Sequence, residues 1–262
     1  MSVARSRPEI NLEKGEKLVS EAVVRGSDMI CFPEMWTTGF DWSGNKKTAA
    51  GHLDTIEKIA AMAKRKGIWI TGSVASYNDD GRISNTAILF DPRGVKMAIY
   101  SKTHLFSFGE EDRHMKPGDA LTATETPWGR MGFSICYEIR FPEIYRTYAL
   151  MGAKLVFVPA AFPKIRIDHW KVLLRARAIE NQMFIVAANQ TGSEHLDPGG
   201  MTEYGGNSAV IDPMGRTVVT AGDEEALLTA TIDLEVVDAE RDRFKVLKDR
   251  RPVLYNLGLN NS

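Results

Sequence analysis

Cys136 closes the apolar run Met131-Gly132-Phe133-Ser134-Ile135 and stands just before a turn into a second apolar-periodic segment that begins near Phe141. A thiol at such a strand-to-turn junction projects beyond the sheet, where nearby backbone N–H groups point outward, a favoured place for a nucleophile. Its ordinary alternative is a buried structural cysteine. Glu34 also follows a strand end, in Met29-Ile30-Cys31-Phe32-Pro33-Glu34-Met35-Trp36. A carboxyl among apolar neighbours has a raised pKa and can act as a general base or acid near neutrality; its alternative is a loop glutamate in water. Lys102 follows a hairpin strand in Ser101-Lys102-Thr103-His104-Leu105-Phe106, and Glu110 lies eight residues later beside Glu111, before the turn Lys116-Pro117-Gly118. Taken singly, both are ordinary solvated side chains. Cys31 sits inside its strand run and reads as core. A free thiol, with a pKa near ~8.5, is mostly protonated at pH 7; a neighbouring ammonium lowers that value and a carboxylate raises it. The proton inventory is therefore open at this level.

The elements that must position these groups repeat along the chain. Asn11 to Arg25 has a capping residue, an apolar stripe and Gly26 as a stop, which predicts a helix. Met29 to Phe32 reads as a buried strand halted by Pro33. Leu53 to Lys66 reads as a helix ended by Gly67, and Ile68 to Ser73 as a strand. Asn85 to Phe90 and Val95 to Ser101 flank Asp91-Pro92-Arg93-Gly94, whose proline and glycine positions are those of a type I turn, so they form a hairpin. The second half follows the same order. Strands are expected at Met131–Ile135, Leu155–Val158 and Met183–Ala188, with helices at Phe141–Met151 and Arg166–Asn181. A hairpin follows at Ser208–Ile211 and Arg216–Thr220 around Asp212-Pro213-Met214-Gly215, then a strand at Leu227–Asp233.

Two mixed sheets with helices outside are the natural packing of this α/β pattern. No Pro/Gly/Ser-rich linker divides the halves, so residues 1–262 are expected to form one domain. One mismatch stands out: the second half has a strand before its first helix and the first half has none. Residues 1–10 carry three charges and a proline and do not qualify as a buried strand. The expectation is that a first strand is missing, and that Met1 is an internal methionine of a longer reading frame or the chain is a truncated one.

Composition removes other classes. The chain has 262 residues, 33 Lys+Arg against 34 Asp+Glu, 44% hydrophobic and 26% charged residues. That is ordinary globular usage, with no basic block for nucleic acid or anionic lipid. Two cysteines are too few for a disulfide framework, which favours a reducing compartment, the cytoplasm. No stretch approaches the ~20 apolar residues of a membrane span, and no secretory h-region opens the chain. His52, His104, His114, His169 and His195 show no metal-ligand spacing with each other or with cysteine. No strand is followed by a G-x-G-x-x-G loop, which demotes a nucleotide binder.

The segments FPEMWTTGF around Glu34, KTHLF followed by GE around Lys102, and CYEIRFPE around Cys136 resemble, in that order, the signatures of the carbon–nitrogen hydrolase (nitrilase) superfamily. Ala160-Ala161-Phe162-Pro163, His169-Trp170, Arg175 to Gln182 and Gly206 to Pro213 resemble its second half, so the likeness runs from about Asn11 to Tyr255. It implies a four-layer αββα sandwich with an internal pseudo-two-fold repeat, and a Glu-Lys-Cys triad that needs neither cofactor nor metal. Cys136 would be the nucleophile and Glu34 the general base and acid. Lys102 and the backbone N–H of Tyr137 would hold the oxyanion, and Glu110 would be the supporting glutamate, chosen over Glu111 by its offset from Lys102.

The implied reaction converts a small amide to a carboxylic acid and ammonia through a thioester. The Glu34–Phe40 text is similar to the ω-amidase branch. Tyr137-Glu138 stands where true nitrilases usually carry Trp-Glu, which favours amide over nitrile; N-carbamoyl or nitrile hydrolysis is the alternative. Arg140 is a candidate for a substrate carboxylate, or for a pairing with Glu138 or Glu143. The family's habit of pairing through outer helices implies a homodimer or higher homo-oligomer, with Trp170, Leu173, Leu174 and Ile179 as the candidate face. Two other classes stay open: a Cys–His enzyme using His104 or His169, and a catalytically impaired scaffold relative.

Overall fold

The computed structural model describes residues 1–42, 49–78, 80–196 and 200–255, with the side chains of Ala49, Ala50 and His52 outside that set. Helix α1 (Pro8–Val24) starts on a proline, whose missing N–H costs nothing in a first turn. Strand β1 (Met29–Cys31), helix α2 (Ala49–Lys66) and strands β2 (Trp69–Tyr77), β3 (Ile83–Phe90) and β4 (Lys96–Ser101) complete the first half. They form one sheet in the order β1-β2-β3-β4, parallel at β1/β2 and antiparallel elsewhere.

A single helical turn, α3 (Glu111–His114), leads to β5 (Ala123–Thr126) and β6 (Gly129–Phe133). Then follow α4 (Pro142–Leu150), β7 (Leu155–Ala160), α5 (Ile167–Asn181) and β8 (Phe184–Asn189). The hairpin β9 (Thr191–Leu196) with β10 (Gly200–Gly205) stands apart as a two-stranded ribbon. Strands β11 (Ala209–Ile211) and β12 (Thr217–Thr220) and helix α6 (Glu235–Arg243) close the described chain. The second sheet has the order β12-β11-β8-β7-β6-β5.

Period-two alternation separates the layers. On β2 and β3, Trp69, Ala87 and Leu89 join Phe133, Phe157 and Trp170 in one core between the sheets and under α5. Their neighbours Ile68, Ile70, Ile88 and Phe90 face the other way and pack with Val19, Ile56 and Ile59 of α1 and α2. Helices, sheet, sheet, helices is the αββα order. Both hairpin turns form as expected: the N–H of Gly94 donates to the carbonyl of Asp91 at 2.8 Å and that of Gly215 to Asp212 at 2.9 Å.

Three expectations are corrected. Leu227–Asp233 is not a strand; it runs along α1, where the Arg25 guanidinium donates to the Leu227 carbonyl at 2.8 Å, and Leu227 packs on the α1–α2 cluster. The β9–β10 ribbon and α6 occupy stretches for which the sequence pattern assigned no element. Trp170 and Leu174 are fully buried under their own sheet, which removes them from any self-association face, while Ile179 stays exposed. At the chain's start, residues 1–7 make one isolated parallel bridge, Ser2 to Thr191. Among the described residues no strand pairs with the free edge of β1, the place that β6 takes beside β7 in the second sheet.

Candidate active site

Glu34, Lys102 and Cys136 come from three different loops at strand ends and meet at the floor of one cavity. Glu34 and Lys102 are 1% and 2% exposed. The Lys102 ammonium donates to Glu34 Oε1 at 2.9 Å and to Glu111 Oε2 at 2.7 Å. Glu34 Oε1 also accepts from the Asn85 amide at 2.8 Å, and Oε2 accepts the Ala161 N–H at 3.0 Å. The Cys136 thiol shares this cavity floor, and the Glu34 carboxylate and the Ala161 N–H both act on it electrostatically.

Local backbone explains why these groups converge. Cys136 has φ +50°, in the left-handed region that L-residues rarely adopt, and opens a tight turn over Cys136–Arg140. The turn swings the thiol out of the sheet's end instead of into its face. It is pinned by Glu138, a fully buried carboxylate. Glu138 Oε2 accepts the Ile135 N–H at 2.7 Å. Its Oε1 accepts the Tyr100 hydroxyl at 2.7 Å, the Thr103 N–H at 2.8 Å and the His104 N–H at 3.1 Å. One side chain thus ties the turn of Cys136 to the segment that carries Lys102.

Burial governs the protonation states. Desolvation, with Glu34 beside it, raises the Cys136 thiol well above its ordinary value, so the resting group is a thiol. Desolvation also raises Glu34, reinforced by Glu111 and opposed by Lys102. Burial works against the charged form of Lys102, but Glu111 and Glu34 outweigh it and keep the ammonium charged. For Glu138, burial is outweighed by its hydrogen bonds from His104, Tyr100, Ile135 and Thr103, and its pKa falls.

The supporting glutamate is a correction. Glu110 adopts φ +57° and turns outward to Arg113, whereas Glu111, 2% exposed, faces Lys102 and shares Asn85 at 3.1 Å. A 3₁₀ turn at Ser107–Gly109 and the left-handed Glu110 stand between Lys102 and Glu111, so it is Glu111, nine residues on, that faces the ammonium. Asn85 and the Ala161 N–H carried no recognisable signal, being one polar residue in a strand and one backbone group. Tyr137 follows Cys136 in the turn, and its ring lies 5.1 Å from Phe106. Arg140 pairs with neither Glu138 nor Glu143: its guanidinium lies over the rings of Phe162, at 4.7 Å, and Tyr137, at 5.5 Å. His104 stacks on Phe141 and contacts Thr103, and His169 is exposed, so a carboxylate and not an imidazole faces the thiol. Among the described residues no group of three or more His, Cys, Asp or Glu is placed to hold a metal ion.

The cavity measures about 720 Å³. Its floor is polar and its walls are aromatic and aliphatic, including Phe40, Phe106, Phe162, Tyr204 and Met201. A thiol, a carboxylate that can take and return its proton, and a charged ammonium beside them suit acyl transfer through sulfur.

The sequence profile of the carbon-nitrogen hydrolase family matches residues 4–242. A 2-oxoglutaramate amidase of Bacillus subtilis is 34% identical over 254 residues, covering 97% of this chain and 96% of that protein. The omega-amidase NIT2 of Xenopus tropicalis is 30% identical, covering 94% of this chain and 91% of its own. Among solved structures, a mutant amidase from Nesterenkonia sp. AN1, with acrylamide joined by Michael addition to the active site cysteine, superposes with a TM-score of 0.87. It is 26% identical, and the match covers 98% of this chain and 96% of that one.

Proposed function

The chain belongs to the carbon–nitrogen hydrolase family and is an amidase, and on that premise we propose that it hydrolyses the ω-amide of a carboxylic acid, the broad class that includes 2-oxoglutaramate, with Cys136 as nucleophile. Glu34 takes the thiol proton as sulfur attacks the amide carbon. The carbonyl oxygen becomes an oxyanion and receives the third N–H of the Lys102 ammonium, whose other two are held by Glu34 and Glu111. The backbone N–H of Tyr137 is the second donor; one such donor contributes about 3–4 kcal/mol to the transition state. Glu34 returns the proton to nitrogen, the C–N bond breaks and ammonia leaves. Water, deprotonated by Glu34, then attacks the thioester and frees the carboxylic acid and the thiol. Glu111 and Asn85 hold Lys102 and Glu34 in register.

The observation that carries the substrate class is Arg140. Its guanidinium lines the same cavity as the thiol and makes no ion pair among the described residues. A guanidinium in that state matches a substrate carboxylate bidentately. The relatives named 2-oxoglutaramate amidase and omega-amidase support the same class. The test is ammonia release from ω-amides with a free carboxylate against neutral amides of equal length. Wild-type protein should prefer the former by more than tenfold in kcat/KM, and Arg140→Gln should erase that preference; equal use of both by the wild type would refute the assignment.

We place the enzyme in a reducing cytoplasm, since Cys31 and Cys136 are both free thiols, and expect it to self-associate. Exposed Val172 and Ile179 are the apolar residues that α5 offers, and light scattering at micromolar concentration, giving a dimer or larger and not a monomer, is the check.

A further inference from the structure

Arg166 lines the same cavity as Arg140, at the residue preceding α5, with its guanidinium 5.7 Å from the Phe108 ring. Among the described residues neither arginine makes a side-chain hydrogen bond or ion pair. The cavity's carboxylates are already engaged. Glu34 and Glu111 hold Lys102, Glu110 holds Arg113, and Glu203 holds Lys164 at 2.6 Å. Lys164 is further paired with Asp223 at 3.2 Å. Two cations without partners therefore face one partly desolvated space, where their mutual repulsion is poorly screened. Burial, together with the charge of Arg166, holds the Arg140 guanidinium below its usual range. One anion at Arg140 relieves the repulsion but leaves the Arg166 guanidinium without a partner of its own among the described residues.

Size and wall chemistry agree. About 720 Å³ lies in the range of roughly 300–1,000 Å³ that encloses drug-sized ligands, beyond the needs of a five-carbon amide. Beside Arg166 the wall is apolar and open: Phe108 is 82% and Ile165 91% exposed. The cavity thus offers a polar floor for the amide, two cations in its lining, and apolar wall beside the second of them.

We propose that Arg166 is a second anion subsite, so that the amide substrate carries two acidic groups joined by an apolar spacer, one at Arg140 and one at Arg166. This rests on the amidase assignment only for the word substrate; the anion subsite itself is tested by binding. Calorimetry on the intact protein would compare α,ω-dicarboxylates of four to ten carbons with monocarboxylates of equal carbon count. At one chain length the dicarboxylate should bind on the order of tenfold to a hundredfold tighter, as a charge-assisted hydrogen bond contributes. Arg166→Gln should remove that gap and leave monocarboxylate affinity within about twofold, and Arg166→Lys should keep part of it. Among the described residues the Arg166 guanidinium makes no hydrogen bond, so an unchanged melting temperature is expected for both variants.

Dicarboxylates that bind no tighter than monocarboxylates at any length, that bind nowhere, or that keep their advantage in Arg166→Gln would overturn the proposal. Ammonia release judges the reaction separately. Dicarboxylate binding without ω-amide hydrolysis would sink the reaction and leave the subsite standing, and the reverse result would sink the subsite alone.

Discussion

Lys102 Nζ lies 2.9 Å from Glu34 Oε1 with both side chains nearly inaccessible to water. A buried pair of this kind is poor at stabilising a fold, because desolvation offsets the attraction, but removing one partner strands the other's charge. Here one cation serves two carboxylates, since Glu111 Oε2 is 2.7 Å away. Lys102→Met should therefore cost about 3–5 kcal/mol of stability and more than a hundredfold in kcat. Thermal melting and steady-state rates check both.

Glu111→Gln should lower kcat by about a hundredfold or more, the scale expected when a group that sets transition-state electrostatics is lost. Glu110→Gln should stay within twofold of wild type, because that side chain points to Arg113 at the surface. Equal effects of the two substitutions would contradict the geometry.

Glu34 must be ionised to accept the thiol proton, and burial, with Glu111 adding to it against Lys102, holds its carboxyl above the usual range. Lowering the pH thus removes the base earlier than it would for an ordinary glutamate. The acid limb of kcat/KM should have its midpoint above about 4.3. In Glu111→Gln, where one raising charge is gone, the limb of the residual activity should move to lower pH.

The parts of this site visible in the sequence are those that sit where a strand run ends. Glu34, Lys102 and Cys136 each follow an apolar stretch with a recognisable stop, so their convergence at one end of the sheets follows from topology. Glu111 was not visible, because the choice between adjacent acids depends on a 3₁₀ turn and one left-handed residue, Glu110. Asn85 lies in the middle of β3, where strand alternation says only which face it takes. In the sequence Glu138 reads only as a partner for Arg140; its donors come from Ile135, Tyr100, Thr103 and His104, brought together by tertiary packing. The same holds for Leu227–Asp233, whose β-rich composition suits a strand but whose backbone finds Arg25 instead.

Glu138 gives a stability prediction with a definite sign. Its folded pKa is depressed, so its contribution is present above the ordinary glutamate range and is lost as the pH falls through the lower folded value. Glu138→Gln should lower the melting temperature near neutrality by removing charge-assisted bonds of about 1.5–3 kcal/mol each, not additively. The difference from wild type should narrow over the window that opens below about pH 4.3, the ordinary glutamate value. A gap that stays constant over that window would contradict the role given to the carboxylate.

Gly39 has φ +64°, and a Cβ there would stand 2.7 Å from Glu194 Oε1, the atom that accepts the Phe40 N–H at 2.9 Å. Glu194 also receives the hydroxyl of Tyr204, at 2.9 Å, and both Phe40 and Tyr204 line the cavity. Gly39→Ala should cost about 1–3 kcal/mol in backbone strain and raise KM severalfold as the wall shifts. An unchanged KM would show that this wall does not touch substrate.

The most direct test of the central claim is intact-mass spectrometry of protein quenched in acid during turnover of an ω-amide. The predicted result is a species heavier by the acyl group, mapped by peptide analysis to Cys136, absent from Cys136→Ala, and reached only slowly in Glu34→Gln. An acyl group on any other residue, or ammonia release that survives Cys136→Ala, would contradict the account.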